Sequence, residues 1–137
     1  SQAIESALAL AKSEETPTPE IVESLGAAWI AEEALAISIY CALVARDFAD
    51  GVLLAVNHSG DSDSTGAITG NMLGLIYGQD QLPQKWRETV ELNELITKIS
   101  IDLIDVPINY YAEDTSRSTD DNEREYYDGI FDRYPGS

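Results

Sequence analysis

With 137 residues, 44% of them hydrophobic, the chain can bury one core and is too short to favour two. Its 25 acidic against 8 basic residues give a formal net charge of -17, which repels phosphate backbones and argues against nucleic acid as a partner. No apolar run approaches the roughly 18 residues of a membrane span, the first segment lacks the basic start of a signal peptide, and the lone Cys41 forbids an intrachain disulfide and reads as a buried thiol; a soluble, cytoplasmic protein with no membrane partner is expected.

Ile4, Leu8 and Ala11 recur at helical spacing, predicting a first helix that the stretch containing Pro17 and Pro19 ends. Thr18 as a cap, Pro19 in the first turn and Glu20 behind it predict a short helix towards Leu25, closed by Gly26. From Trp29 to Val44, the residues Ile30, Ala34, Ile37, Cys41 and Val44 form a stripe that Leu35, Ile39 and Leu43 widen nearly all round, the pattern of a central buried helix. Trp29 reads as a core residue, with the wall of a nucleotide pocket formed by Gly26-Ala27-Ala28 as its functional alternative. One of Glu32 and Glu33 is expected to pair or to face a cleft.

Asp47 caps a further helix to about Val56, with Phe48, Val52 and Ala55 on one face. A polar loop follows, and then a helix from Thr65 to Tyr77 in which Gly66, Gly70, Gly74 and Gly78 share a face. Each of these glycines weakens the helix by up to about 1 kcal/mol relative to alanine, so close packing along that face is expected. Leu82-Pro83 turns the chain into more helix, Trp86 to Ile104, with Val90, Leu95, Ile99 and Leu103 on its apolar side. Residues 106–137 are an acidic, Tyr-rich tail, partly disordered or docked back by its aromatic end. The fold class is all-α.

The chemistry concentrates in His58-Ser59-Gly60-Asp61-Ser62-Asp63-Ser64-Thr65-Gly66. Asp61 and Asp63, two apart beside Ser64 at a helix start, allow carboxylate and hydroxyl oxygens to converge on a hard cation such as magnesium. A Ser/Asp-rich helix cap explains the same residues with no ion at all. An EF-hand fails, because its twelfth position would be Met72, which cannot chelate calcium. An aspartate-nucleophile phosphatase, whose loop Asp61-Ser62-Asp63-Ser64-Thr65 imitates, requires a hydrophobic strand before the loop and a parallel sheet, and neither is predicted.

The longer stretch from Ala55 to Gly74 resembles the C-terminal signature of ADP-ribosylglycohydrolases, Gly-Asp-x-Asp-(Thr/Ser)-x-Gly-(Ala/Thr)-Ile-x-Gly, and Trp29-Ile30-Ala31-Glu32-Glu33-Ala34-Leu35-Ala36 is similar to a helix of bacterial members. The resemblance implies an orthogonal all-α bundle, of which residues 1–105 are the C-terminal portion. It also implies two magnesium ions, with manganese as a substitute, and hydrolysis of the bond between ADP-ribose and a protein side chain, arginine favoured by the serine at position 64. Asp61, Asp63 and Ser64 fall at the metal-ligand positions; Gly60, Ser62, Gly26 and Trp29 are the candidate substrate contacts, and the catalytic acid-base residues are not identified. His58 is expected to be a hydrogen-bonded structural neighbour of the loop.

The family's other metal motif, (Ser/Thr)-Asp-Asp-Thr, belongs to an N-terminal half that is not in this sequence, and the echo Ser118-Thr119-Asp120-Asp121-Asn122 reads as coincidence in a solvated tail. The implied partners are therefore that N-terminal half, as a second chain or missing segment, and an ADP-ribosylated protein substrate. A non-catalytic relative of the same fold, like those recruited as eye-lens crystallins, is the alternative from another class.

Overall fold

The structure, a computed structural model, describes residues 2–13, 15–105, 125, 128–130 and 132–133. Every regular element among them is helical and none is a strand, which removes the sheet that a phosphatase fold needs. No helix among the described residues is long and apolar enough to cross a membrane. The chain divides into two units, 1–87 and 88–137.

In the first unit the order is α1 (Gln2–Ala11), α2 (Pro19–Glu23), α3 (Ala31–Val44), α4 (Phe48–Val56), α5 (Ser62–Tyr77) and a 3-10 turn (Gln79–Gln81), with α6 (Gln84–Thr89) reaching the boundary. The starts of α2 and α4 follow the predicted chemistry: Thr18 accepts from the Ile21 amide, Asp47 accepts from the Asp50 amide at 2.8 Å, and Pro19 opens α2. Gly26 closes α2 at φ +124°, a conformation that favours glycine.

α3 packs against α1, α4 and α5. Ala34, Ala36, Ile37, Ser38, Tyr40 and Cys41 are its buried residues, and Ala7, Val22 and Ala55 join them in the core. Full burial of a side chain the size of Ile37 contributes roughly 1.5–3 kcal/mol. Burial pushes the Cys41 thiol up to about 12, so it is an inert packing group. The apolar stripe is narrower than expected, however, since Leu43 is exposed and Leu35 borders on it.

Two further expectations are corrected. Trp29 is not in the core: it is 73% exposed, because α3 starts only at Ala31 and leaves Trp29 in the bend before it. The glycine face of α5 is closely packed only at its start. A Cβ on Gly66 would lie 2.5 Å from Val56 Cγ1, whereas one on Gly70 meets Val52 at 4.0 Å and one on Gly74 or Gly78 meets nothing within 4 Å. α4 and α5 stay in contact beyond Gly66 through other positions: a Cβ on Gly51 of α4 would lie 2.6 Å from Leu73 Cδ1, and the Tyr77 hydroxyl donates to Ala45 O, just ahead of α4, at 3.1 Å.

In the second unit the expected long helix is broken. α6 ends at Thr89, Leu92 takes φ +59°, and α7 (Asn93–Asp105) starts afresh. Val90, Leu95 and Leu103, assigned to an apolar face, are exposed, and Ile99 is half-buried. The buried residue of α7 is instead Asp102, whose two carboxylate oxygens accept from the Arg133 guanidinium at 3.0 Å each, while Ile130 is buried nearby in sequence. The candidate echo at 118–122 and the aromatic residues Tyr126, Tyr127, Phe131 and Tyr134 lie outside the described residues.

Candidate metal and substrate site

The site is built where segment 57–61 meets segment 26–28. The Asp61 amide donates to Ala27 O at 2.9 Å, and the chains approach so closely there that a Cβ on Gly60 would lie 2.1 Å from Ala27 O. Gly60 is therefore required for space. Glu33, from the first turn of α3, stiffens the opposite segment of this contact: its Oε2 accepts from the Ala27 amide at 3.1 Å and the Ala28 amide at 3.0 Å. Ala28 is held at φ +65°. Glu23 Oε1 accepts from the Ser59 amide at 2.9 Å, tying α2 to the same segment. Of the two glutamates singled out in the sequence, Glu33 does the pairing and Glu32 is exposed.

His58 is buried and fully engaged, as expected. The Gly60 amide donates to Nδ1 at 3.0 Å, so the ring proton sits on Nε2, which donates to Thr65 Oγ1 at 2.9 Å. The Thr65 hydroxyl, itself fully buried, donates to Ala55 O at 2.7 Å. This chain of bonds links α4, the loop and α5, and it fixes where α5 begins. On the other side Ser38 Oγ donates to Ala34 O at 2.7 Å and approaches Thr65 O at 3.4 Å, where α3 crosses α5.

α5 starts earlier than the sequence predicts, at Ser62, so Asp63 and Ser64 lie in its first turn and Asp61 stands at the N-cap. Unlike Thr18 and Asp47, Asp61 makes no capping hydrogen bond. Its carboxyl is instead turned to its neighbours: hydrogen bonding with the Asp63 carboxyl, then with the Ser64 hydroxyl, holds it below the ordinary carboxylate value, with a weaker contribution from the Ser64 amide that falls short of capping geometry. Two carboxyls within hydrogen-bonding reach of each other beside a hydroxyl form an oxygen-only cradle of the kind a hard divalent cation selects. Among the described residues, no group of three or more His, Cys, Asp or Glu side chains is placed to hold a metal ion.

The candidate substrate contacts are brought together unevenly. Gly60 and Ser62 flank Asp61, and Gly26 adjoins the Ala27 carbonyl that binds the Asp61 amide. Exposed Trp29 and Ile30 lie next in sequence to the anchored Ala28. The sequence held no signal for the anchors Glu23 and Thr65, which act on backbone groups or on a residue distant in the motif.

The sequence profile of the ADP-ribosylglycohydrolases matches residues 1–113. Over 73 residues the chain is 32% identical to ADP-ribosylarginine hydrolase Tri1 of Pseudomonas putida (strain GB-1), covering 53% of this chain and 20% of that protein. Over 54 residues it is 35% identical to the protein of the same name from Serratia proteamaculans (strain 568), covering 39% of this chain and 15% of that one. The match thus spans a fifth or less of these relatives' length. No solved structure matches the chain.

Proposed function

The chain belongs to the ADP-ribosylglycohydrolase family, and from that premise we propose that it supplies one side of a magnesium-dependent active site that cleaves ADP-ribose from protein arginine. The observation that carries this reading is the meeting of the Asp61 and Asp63 carboxyls beside Ser64, at a helix start where Asp61 does not cap. Arginine is preferred because both relatives are named ADP-ribosylarginine hydrolases.

Asp61, Asp63 and Ser64 would hold the ion, and the remaining ligands come from polypeptide outside this chain, the N-terminal portion of the enzyme. When bound, such an ion supplies Lewis-acid stabilisation and orients water and ribose hydroxyls at the glycosidic bond. Asp61 and Asp63 act as ligands, not as proton carriers. Gly60, whose backbone is packed against Ala27, fixes the loop that carries the carboxyls toward the substrate. Trp29 offers an uncovered ring on an anchored segment, suited to stacking on a nucleotide base.

The test is titration calorimetry of Mg2+ and ADP-ribose into the chain mixed with the Pseudomonas putida relative lacking the segment matched here, alongside release of ADP-ribose from an ADP-ribosylated arginine protein. Binding and release are expected with the wild-type chain and are lost in Asp61→Ala/Asp63→Ala. ADP-ribose binding that survives the double substitution would overturn the metal-site assignment.

A further inference from the structure

One peptide plane joins the acidic loop to the exposed tryptophan. The group linking Ala27 to Ala28 accepts from the Asp61 amide through Ala27 O at 2.9 Å, and it donates through the Ala28 N–H to Glu33 Oε2 at 3.0 Å. A trans peptide is a rigid plate with its C=O and N–H on opposite edges, so this one cannot turn away from Glu33 without also turning from Asp61. Rotation of the plate is also rotation about the N–Cα bond of Ala28, which leads into Trp29. Ala28 is held at φ +65°, where a residue other than glycine is strained, and it is buried, so its surroundings impose the conformation. Trp29 itself is largely uncovered and takes its direction from this backbone. Gly26 keeps the carboxylate in place: a Cβ there would lie 2.4 Å from Glu33 Cδ.

Resting on the reading of Asp61 as a cation ligand and Trp29 as a nucleotide contact, we propose that Glu33 is a positioning residue that couples these subsites through the peptide between Ala27 and Ala28. It acts through the backbone rather than on either ligand. A cation that draws Asp61 into place moves the Ala27 carbonyl, the plate turns against Glu33, and Ala28 passes the turn to Trp29. Binding of the ion thereby orders the ring on which the base stacks. Without Glu33 the plate is held from one edge only, and the two subsites respond independently.

Hydrogen exchange of the Asp61 amide and fluorine NMR of Trp29 test this in the ion-free chain. Both tryptophans carry fluorotryptophan, and Trp86→Phe identifies the Trp29 signal. Glu33→Ala should speed exchange of the Asp61 amide on the order of 10-fold and sharpen the Trp29 line, and Glu33→Gln, whose amide oxygen can still accept, should recover much of both. Asp47→Ala, which weakens the start of α4 by a similar amount, is the control for general destabilisation and should move neither. If it moves both as far as Glu33→Ala does, or if Glu33→Ala leaves either readout unchanged, the proposal is overturned. The labelled chain is then mixed with the unlabelled Pseudomonas putida relative lacking its matched segment. Mg2+ alone should shift the Trp29 signal in the wild type and in Glu33→Gln but not in Glu33→Ala, with calorimetry recording Mg2+ binding in all three. A shift of wild-type size in Glu33→Ala overturns the proposal, as does bound Mg2+ with no shift in the wild type. A wild-type shift without ADP-ribose binding keeps the coupling and rejects the nucleotide contact. Failure of Mg2+ to bind at all rejects the metal-site reading, and the ion-free results still decide whether Glu33 positions both segments.

Discussion

Replacing Gly60 by alanine tests whether the contact between segments 26–28 and 57–61 is as tight as it looks. The added Cβ would fall 2.1 Å from Ala27 O, and also under 3 Å from the Ala27 carbonyl carbon and Cα, all of them backbone atoms, so no side-chain rotation relieves it. The segments must separate by more than about 1 Å to restore ordinary contact, which breaks the 2.9 Å bond from the Asp61 amide to Ala27 O. A lost hydrogen bond costs about 0.5–1.5 kcal/mol and overpacking about 1–3 kcal/mol, so about 2–4 kcal/mol in all. For a unit of this size that is a fall in Tm on the order of 10–30 °C. Thermal unfolding followed by circular dichroism measures it, with Gly74→Ala as the internal control. That second substitution adds a Cβ into open space and should raise stability by up to about 1 kcal/mol through helix propensity. If Gly60→Ala melts with the wild-type chain, the two segments are not in contact and the site has no fixed floor.

Thr65→Val removes the hydroxyl between His58 Nε2 and Ala55 O and strands two buried polar groups at about 1–3 kcal/mol each; Thr65→Ser should recover most of the loss in urea denaturation. Glu33→Ala leaves the Ala27 and Ala28 amides without their acceptor and should lower the urea midpoint by about 1–2 kcal/mol equivalent, because hydrogen bonds to a charged group exceed neutral ones but these are partly exposed. The Arg46 guanidinium holds the Asp50 carboxyl below its ordinary value of 3.8. The stabilisation is therefore fully present above that value and is lost as pH falls through the lower folded one. In Arg46→Ala the Asp50 midpoint should rise in a carboxyl NMR titration, with only a small loss of stability at neutral pH because the guanidinium is mostly exposed.

Helix type and position were legible because the signals are local. Thr18, Pro19 and Asp47 act within one turn of their own helices, and the Ile37 to Cys41 run repeats at the helical period. Trp29 misled because an aromatic beside an apolar stripe looks like part of it, and whether α3 starts two residues later is decided by Glu33 reaching back to the Ala27 and Ala28 amides, a contact with no periodicity. The break at Leu92 was invisible for the same reason: the apolar spacing continues across it. The acidic pair itself could be read directly, while its supports could not, since Glu23, Ala27 and Thr65 are joined to it through backbone groups that any residue carries.

The distinction between a cap and a ligand at Asp61 can be settled by the sign of two effects taken together. A capping aspartate stabilises the helix it starts, and Asp47, which accepts the Asp50 amide at 2.8 Å, should cost about 1 kcal/mol when changed to alanine. Asp61 occupies the same position on α5 without making that bond, and the neighbour that most lowers its carboxyl value is another carboxyl, Asp63. When both are ionised they repel, and only a cation between them turns the arrangement to advantage. Asp61→Ala should therefore leave the melting temperature of the ion-free chain where it is, or raise it slightly, while removing whatever stabilisation Mg2+ adds to the assembled enzyme. A drop in the ion-free chain as large as that of Asp47→Ala would make Asp61 a cap after all, and the cradle with Asp63 and Ser64 would lose its first ligand.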